Sequence, residues 1–244
     1  MTNRMFPFIT KTWSPIAGGF SIEEDKIYAC PYRCFYCWAN LLINKFPKGN
    51  LGKKYSGPYR IHEPAMKPWF KPDSFIFVQC MSDIGAPQIP TKIVTEVLEC
   101  IRNRPDIQFL LLTKSNNFYG EYMHEIPDNC ICGITMETDY PISDKITNAP
   151  EPQKRLDNLI WLKSYYPQLK TFVCIEPIMD FSENFAEKIK KAEPWAVAVG
   201  YDNYNMGLPE PKLSKTKDLI SELEKYTTVY KKTLRNPSLT EASK

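Results

Sequence analysis

The sequence predicts an α/β fold built on a parallel sheet, and three observations support this prediction. From residue 74 onward, short apolar runs alternate with amphipathic segments, and strict alternation of strands and helices implies parallel strands joined by right-handed crossovers. Polar residues directly follow most of the apolar runs. A chain of 244 residues is long enough for one large core, so we expect a single domain over residues 1–244.

The first quarter of the chain shows little regular pattern. Residues 1–25 form a lead-in without a predicted element, and the first predicted strand is Lys26–Ala29. This strand runs directly into a cysteine-rich segment, after which residues 38–44 are predicted to be helical. Residues 227–244 are expected to form a C-terminal extension with a frayed end.

Residues 45–73 are predicted to form a long connection without secondary structure. Basic and aromatic side chains are interleaved in it, namely Lys45, Phe46, Lys48, Lys53, Lys54, Tyr55, Tyr59, Arg60, Lys67, Trp69, Phe70 and Lys71. Such side chains bind phosphates and stack on bases. A solvated loop that covers the mouth of the fold is the simpler interpretation.

Strands and helices alternate regularly after this connection. Strands are predicted at residues 75–80, 108–112, 130–135, 170–175 and 195–200, with a short further strand possible at 228–232. Helices are predicted at 91–101, 116–123, 153–165 and 214–226, and another, with Ser182 as its N-cap, carries Phe185 and Ile189. Six βα units are fewer than the eight of a closed barrel, so a partial barrel and a doubly wound open sheet both fit this alternation.

Composition excludes several classes of protein. The net charge of +3 is too small to indicate a nucleic-acid partner by itself. Residues 1–8 lack the sustained apolar core of a signal peptide, and no apolar run reaches the length of a membrane span. We therefore expect the eight cysteines to be reduced thiols or metal ligands in a cytoplasmic protein, without contact to a membrane.

Cys30, Cys34 and Cys37 form the strongest motif, with the spacing Cys-x3-Cys-x2-Cys. Thiolates gathered this closely are the ligands of iron–sulfur clusters and of zinc. Three ligands leave one metal position open, which is typical of a site that performs chemistry. A zinc site is the alternative, and its fourth ligand would be His62, His124 or a distant cysteine. Cys130-Ile131-Cys132 has the wrong spacing for the second Cys-x2-Cys pair that such sites commonly use.

Polar residues at the ends of the predicted strands form the second candidate site, because parallel barrels carry their chemistry at this edge. These residues are Ser82, Asp83, Thr113, Lys114, Thr135, Glu137, Glu176 and Asp202. Lys114, Glu137 and Glu176 come directly after apolar strands, where a solvated loop would begin with glycine, asparagine or proline. Asp202 is interpreted as a solvent-facing charge. The remaining cysteines are expected to pack in the core.

The segment Cys30–Cys37, with Tyr36 before the third cysteine, resembles the cluster-binding loop of radical SAM enzymes. Further stretches resemble an uncharacterised, phage-associated branch of that superfamily, which is distantly similar to spore photoproduct lyase; they are Thr12–Pro15, Met81–Asp83, Leu112–Lys114, Gly133–Glu137 and Ile175–Pro177. The resemblance implies a partial (β/α)6 barrel with the cysteine loop after strand one. The Gly-Gly-Glu-like turn and the glycine-rich adenine-binding pattern of the superfamily are absent.

The resemblance also implies cofactors and roles. A [4Fe-4S] cluster would be held by the three cysteines, and S-adenosylmethionine would bind through Tyr36, Ser82, Asp83, Thr113, Lys114, Thr135 and Glu137. Tyr36 is expected near the adenine and Glu137 at the ribose. Asp83 and Lys114 would surround the methionyl group, and Glu176 would face the substrate as the catalytic candidate.

The expected activity is reductive cleavage of S-adenosylmethionine to a 5′-deoxyadenosyl radical. Its electron would come from a donor of the flavodoxin or ferredoxin type, and its substrate is unidentified, with nucleic acid or a nucleotide as one class. Two alternatives remain: a zinc-stabilised, non-catalytic nucleic-acid-binding module, and a cluster-binding barrel that does not cleave S-adenosylmethionine.

Overall fold

Seven parallel strands form one sheet in the computed structural model, which describes residues 5–23, 26–67 and 70–237. In chain order the strands are β1 (Lys11–Trp13), β2 (Ile16–Ala17), β3 (Phe20–Glu23), β4 (Lys26–Tyr28), β5 (Arg60–Ile61), β6 (Phe75–Val78), β7 (Gln108–Thr113), β8 (Cys130–Thr135), β9 (Lys170–Ile175), β10 (Ala196–Val199) and β11 (Thr228–Lys231). The helices are α1 (Trp38–Lys45), α2 (Asn50–Tyr55), α3 (Thr91–Arg102), α4 (Phe118–Glu121), α5 (Pro152–Tyr165), α6 (Phe185–Lys190) and α7 (Leu213–Leu223), and Glu63–Ala65 is a short 3-10 turn.

The large sheet has the order β1-β6-β7-β8-β9-β10-β11, and it curls into a half-barrel. Each neighbouring pair is parallel, as the alternation of strands and helices predicted. The partial barrel is therefore confirmed, and the doubly wound alternative is not. The possible strand near residue 228 is also confirmed, as the edge strand β11.

The first strand of the sheet differs from the prediction. It is β1 in the lead-in, which pairs with β6, whereas Lys26–Tyr28 pairs with β3 in a separate antiparallel hairpin. The cysteine loop still follows the first strand of the barrel, but this hairpin comes between them. Three residues are too few to carry a periodic signal, which explains why the sequence pattern did not reveal β1.

Two further local predictions were wrong. Residues 45–73 are not structureless, since they contain α2, β5 and the 3-10 turn. Ser182 does not cap α6, whose N-cap is Asn184; its hydroxyl instead bonds to Asp139. Met1–Arg4, Glu24, Asp25, Trp69 and the end of the tail after residue 237 lie outside the described residues.

Two apolar clusters cover the two faces of the sheet. Alternate strand residues such as Phe109, Leu111 and Val173 pack against the helices, whose buried faces match the predicted ones. The opposite residues, among them Leu110 and Phe172, line the inner face of the half-barrel, where Phe6 and Ile9 cover them. The N-terminal segment thus packs on the inner face of the half-barrel.

Candidate active site

The inner face carries charged side chains at its C-terminal edge. Because side chains alternate along a strand, the register that directs Leu110 and Phe172 inward also directs Lys114, Glu137 and Glu176 inward. At this edge Lys114 Nζ lies 2.6 Å from the carboxylate of Glu137, and Lys232 Nζ lies 3.2 Å from the carboxylate of Glu176. Three of these four charged residues, Lys114, Glu137 and Glu176, were identified from the sequence as residues at strand ends.

The cysteine loop is attached to this edge by two tyrosines. The hydroxyl of Tyr36 donates to the carboxylate of Glu137, and the hydroxyl of Tyr32 lies 3.4 Å from the carbonyl oxygen of Gly85, to which it donates. A positive φ of 48° at Arg33 makes the turn between the first two cysteines possible. Both tyrosine contacts place the loop over the ends of β6 and β8.

A second segment, residues 146–148, holds the loop from the other side. The amide of Phe35 donates to the carbonyl of Ile146 at 2.7 Å, and the amide of Asn148 donates to the carbonyl of Tyr32 at 2.7 Å. The hydroxyl oxygen of Thr147 lies 3.1 Å from the sulfur of Cys34 and 3.2 Å from the carbonyl oxygen of Tyr32. The sequence contained no signal for this segment, which lies more than 100 residues downstream of the loop.

Cys30, Cys34 and Cys37 are free, half-buried thiols. Burial raises the pKa of Cys30 well above its usual value, and Asp83, Cys34 and Cys37 raise it further. Burial likewise raises the pKa of Cys37 to about 11, although Cys37 is the N-cap of α1, where the helix dipole favours a thiolate. Burial and the neighbouring thiols thus both disfavour the charged forms of Cys30 and Cys37, an effect that a bound cation would offset.

Glu137 is the centre of the buried polar network at this edge. Its carboxylate accepts hydrogen bonds from Tyr36, from Lys114 Nζ at 2.6 Å and from Arg155 Nη1 at 2.8 Å. Burial by itself would raise the pKa of Glu137, but Arg155 and Lys114 outweigh burial and hold that pKa well below its usual range. The carboxylate is therefore ionised and almost fully bonded, and Lys114 also lies over the ring of Tyr36.

Asp83 connects the ends of β6 and β7. It accepts hydrogen bonds from Thr113 Oγ1 at 2.5 Å, from the amide of Lys114 at 2.7 Å and from the amide of Gly85 at 2.8 Å. Burial raises the pKa of Asp83, and these three donors offset part of that increase. An ionised carboxylate has about four acceptor positions, so Asp83 and Glu137 each have about one position left.

Glu176 forms a separate charged pair. Its carboxylate lies 3.2 Å from Lys232 Nζ and accepts a hydrogen bond from Asn203 Nδ2 at 3.1 Å. Burial raises the pKa of Glu176, and Lys232 and Asn203 oppose this effect. A half-buried carboxylate with a raised pKa can exchange a proton with a ligand on the inner face.

Other predicted site residues occupy different positions. Ser82 accepts a hydrogen bond from Gln79 Nε2 at 2.7 Å, which leaves its own proton available. Thr135 is buried, and its carbonyl accepts a hydrogen bond from Arg155 at 2.9 Å. Asp202 is not the solvent-facing charge that was predicted, since it is buried and accepts from the amides of Tyr204 and Met206.

Sequence reasoning missed Arg155 and Lys232. Lys232 directly follows β11. The rule that identified Lys114, a charged residue directly after a strand, would have identified Lys232 if this strand had been predicted to end at residue 231. Arg155 lies on α5 beside Lys154 and has no distinguishing pattern, yet its side chain is fully buried. Only the approach of α5 to the end of β8 identifies it.

His124 and the cysteines of β8, considered as further ligands of a zinc site, have other partners in the structure. Within residues 5–23, 26–67 and 70–237, no three His, Cys, Asp or Glu side chains are grouped so that they could hold one metal ion. The ligands of a cluster each bind a different iron, so three nearby thiols need not converge on one point. His124 lies beside Tyr166 Oη at 3.1 Å, and Cys130 and Cys132 pack among the helix-facing core residues.

The fold of this chain is similar to those of two kinds of solved protein, at 9% sequence identity. A structure of a double mutant of spore photoproduct lyase with bound AdoMet and dinucleoside spore photoproduct is 9% identical and has a TM-score of 0.56, with 96% of this chain and 80% of that chain covered. A mutant of the same lyase gives a TM-score of 0.58 at 9% identity, with 94% and 78% covered.

A second kind of neighbour is SuiB of Streptococcus suis bound to its precursor peptide SuiA, with 9% identity and a TM-score of 0.51. The alignment covers 92% of this chain and 49% of SuiB. No curated protein sequence matches the chain. The sequence profile of one family, described as "Protein of unknown function (DUF5131)", matches residues 4–197.

Proposed function

Because the chain belongs to the DUF5131 family, whose description assigns no activity, we propose its function from the site: it is a radical SAM enzyme. The observation that carries this proposal is the attachment of the Cys30–Cys37 loop, through Tyr36, to Glu137 at the C-terminal edge of a half-barrel. Three thiols and an adjoining charged inner face are what such an enzyme requires. The similarity of the fold to two radical SAM enzymes supports the proposal.

In this proposal Cys30, Cys34 and Cys37 hold a [4Fe-4S] cluster. When bound, the cluster supplies one electron that cleaves S-adenosylmethionine into methionine and a 5′-deoxyadenosyl radical. The chain itself binds the cofactors, orients them and excludes water.

The proposed S-adenosylmethionine contacts fall into two groups. Lys114 and Ser82 retain hydrogen-bond donors, so they contact the methionyl carboxylate and neighbouring polar atoms directly. Asp83 keeps about one acceptor position for the methionyl amino group. Thr113, Thr135 and Glu137 are largely bonded within the protein, so they act mainly by holding these residues and Tyr36 in place.

Glu176 is the proposed catalytic residue on the substrate side. Its carboxylate lies on the inner face, and it is paired with Lys232 and Asn203. A nucleic acid or a nucleotide is the substrate class that we propose to test first, because spore photoproduct lyase binds a dinucleoside photoproduct. SuiB binds a peptide, so peptides are the second class to test.

The decisive experiment is anaerobic reconstitution with iron and sulfide, followed by reduction with dithionite in the presence of S-adenosylmethionine. We expect about four irons per chain and formation of 5′-deoxyadenosine. The variant with Cys30, Cys34 and Cys37 replaced by alanine should fold but lose both. Cys100→Ala, at a half-buried thiol on α3 outside the loop, is the matched control and should retain both.

A cluster-binding protein without turnover is the second candidate, because Asp83 and Glu137 already accept three hydrogen bonds each. Iron binding without 5′-deoxyadenosine from a folded sample would favour it. One zinc and no iron in protein purified without oxygen would contradict both candidates.

A further inference from the structure

We propose that the exposed side of helix α1 is the docking surface for an acidic one-electron carrier protein. This surface, which we name the α1 face, consists of Phe35, Trp38, Leu41, Leu42, Lys45 and Phe46. The inference rests on the proposed function, since a reductive cleavage needs an electron from outside the chain. It adds a location and a chemical character to the donor.

The α1 face is unusually apolar for an exposed helix side. Trp38, Leu41 and Leu42 have exposed fractions of 37%, 42% and 39%. Their positions i, i+3 and i+4 place them on one side of the helix. Phe35 and Phe46, just before and just after the helix, are 53% and 63% exposed. Large apolar side chains that cluster on a surface indicate a contact with another molecule.

Ala39 and Ile43 show that this side is not the buried side of α1. Both residues are buried, and Ile43 packs with Ala29 and Tyr55 in a small apolar cluster. The helix is therefore apolar on two sides, of which only one is fully buried in the described fold. Because the large apolar side chains of the second side each keep more than a third of their surface exposed, we assign this side to a partner.

The charged residues of the chain segment that carries the α1 face have one sign. No aspartate or glutamate occurs between Lys26 and His62. Lys45, Lys48 and Lys53 are exposed in this stretch, and Lys45 Nζ lies 5.6 Å from the ring centre of Phe46. Apolar side chains bordered by lysines fit a partner with an apolar centre and an acidic border.

The position of the α1 face identifies electron transfer as its purpose. Phe35 lies between Cys34 and Cys37 in the sequence, and α1 begins at the residue after Cys37. A protein docked on Phe35 and Trp38 would bring its redox group next to the proposed cluster. In the transfer, the carrier loses one electron and S-adenosylmethionine gains it, splitting into methionine and a carbon radical without movement of a proton.

A nucleic acid fits the α1 face less well. Aromatic side chains and lysines would suit single strands, but Leu41 and Leu42 offer no surface on which a base stacks. Apolar aliphatic side chains are instead common in the centres of protein interfaces. Electron-transfer encounters also use small interfaces, consistent with a surface formed by one eight-residue helix and its two flanking aromatics.

Two electron sources test the proposal on the reconstituted enzyme. The Leu41→Glu/Leu42→Glu variant and the Lys45→Glu variant are compared with wild type, using either dithionite or a reduced, acidic flavodoxin. With flavodoxin we expect 5′-deoxyadenosine formation to fall about tenfold or more in the double variant and several-fold in Lys45→Glu. With dithionite, which needs no docking, both variants should stay within about twofold of wild type. Wild-type turnover with flavodoxin should also decrease with added salt.

Matched controls separate the α1 face from general effects of charge. Tyr165→Glu introduces an acid at an exposed aromatic of α5, and Lys217→Glu reverses an exposed lysine of α7. Both controls should behave as wild type with both reductants. Iron content and circular dichroism verify that every variant is loaded and folded.

Several results would overturn the docking proposal. Unchanged flavodoxin-driven turnover in the double variant contradicts it, as does an equal loss with both reductants. The double variant could also lose salt-sensitive oligonucleotide binding, or a dimer observed by sedimentation, while its flavodoxin-driven turnover is unchanged. That result would assign the α1 face to nucleic acid or to a second copy.

If wild type makes no 5′-deoxyadenosine with dithionite, the proposed function fails instead. The α1 face is then tested by titration with oxidised flavodoxin, and equal binding by wild type and the double variant overturns it.

Discussion

Arg155 and Glu137 form a buried ion pair whose loss has a predictable effect. Both side chains have no exposed surface, and their closest atoms are 2.8 Å apart. Replacement of Arg155 by methionine leaves the carboxylate with Lys114 as its remaining cation. We expect the free energy of unfolding to fall by about 3–5 kcal/mol, because a buried charge then loses one of its two cationic partners.

Urea denaturation of Arg155→Met measures this effect, and Lys154→Met is the control. Lys154 is the preceding residue on α5, and its side chain is 61% exposed. Its replacement should change the free energy of unfolding by less than about 0.5 kcal/mol. If the two substitutions lowered the free energy of unfolding equally, the buried carboxylate of Glu137 would not need Arg155 as its partner.

The lowered pKa of Glu137 predicts how stability depends on pH. In the unfolded chain a glutamate has a pKa of about 4.3, and in the folded protein the pKa of Glu137 lies well below its usual value. The stabilisation is therefore complete above the unfolded pKa and is lost as the pH falls toward the folded pKa. Wild type should lose stability below about pH 5 more steeply than Glu137→Gln. Parallel profiles of the two proteins in urea titrations would contradict this assignment.

Single residues also show the limit of sequence reasoning. Lys114, Glu137 and Glu176 could be predicted because each lies within two residues of the end of a strand, and the strand period determines the face toward which they point. Arg155 could not be predicted, because a helix position acquires its environment from the element against which it packs. The partners of Asp202 likewise lie in a loop whose path the sequence pattern does not reveal.

At the scale of elements, the cysteine loop depends on the segment that holds it. Thr147 contacts both Cys34 Sγ and the carbonyl of Tyr32, so Thr147→Val removes a polar contact of a proposed ligand. Residues around metal ligands commonly influence metal affinity by about tenfold or more. We expect a chelator to remove iron from reconstituted Thr147→Val about tenfold faster than from wild type.

Thr95→Val is the matched control for this element. Thr95 lies on α3, and its Oγ1 donates to Glu125 Oε2 at 2.8 Å. Its replacement by valine therefore also removes one hydroxyl hydrogen bond. Iron loss from this variant should follow the wild-type rate, measured by the decay of cluster absorbance. If Thr147→Val also retains its iron at the wild-type rate, the segment at residues 146–148 supports only the backbone.

The hairpin of β3 and β4 shows why elements can be recognised and still be misplaced. Lys26–Tyr28 is extended, as its apolar residues predicted, but it pairs with the neighbouring strand β3. Local preference determines that a segment is extended, whereas the available partner determines which sheet it joins. Every helix of the described chain is too short or too polar to span a bilayer.

At the scale of the whole molecule, the open half-barrel needs its N-terminal segment. Phe6 is buried against the inner face, and its ring centre lies 5.0 Å from that of Phe172. Phe6→Ala should lower the free energy of unfolding by about 3–5 kcal/mol, because it removes a large side chain and leaves a cavity.

Phe46→Ala serves as the comparison, since Phe46 is exposed and its replacement should cost less than about 0.5 kcal/mol. Both values come from urea denaturation. A small effect of Phe6→Ala would mean that the inner face remains covered without it. The N-terminal segment would then not be part of the core.

The sequence by itself determined the alternation of strands and helices, the cysteine motif and the edge of the sheet where the charges lie. These features follow from short-range periodicity and from residue type. Only the tertiary structure decided that β1 opens the sheet, that Arg155 and Lys232 complete the charged pairs, and that residues 146–148 hold the cysteine loop. Each of these depends on contacts between residues far apart in the chain, and such contacts are selected by packing of the whole molecule.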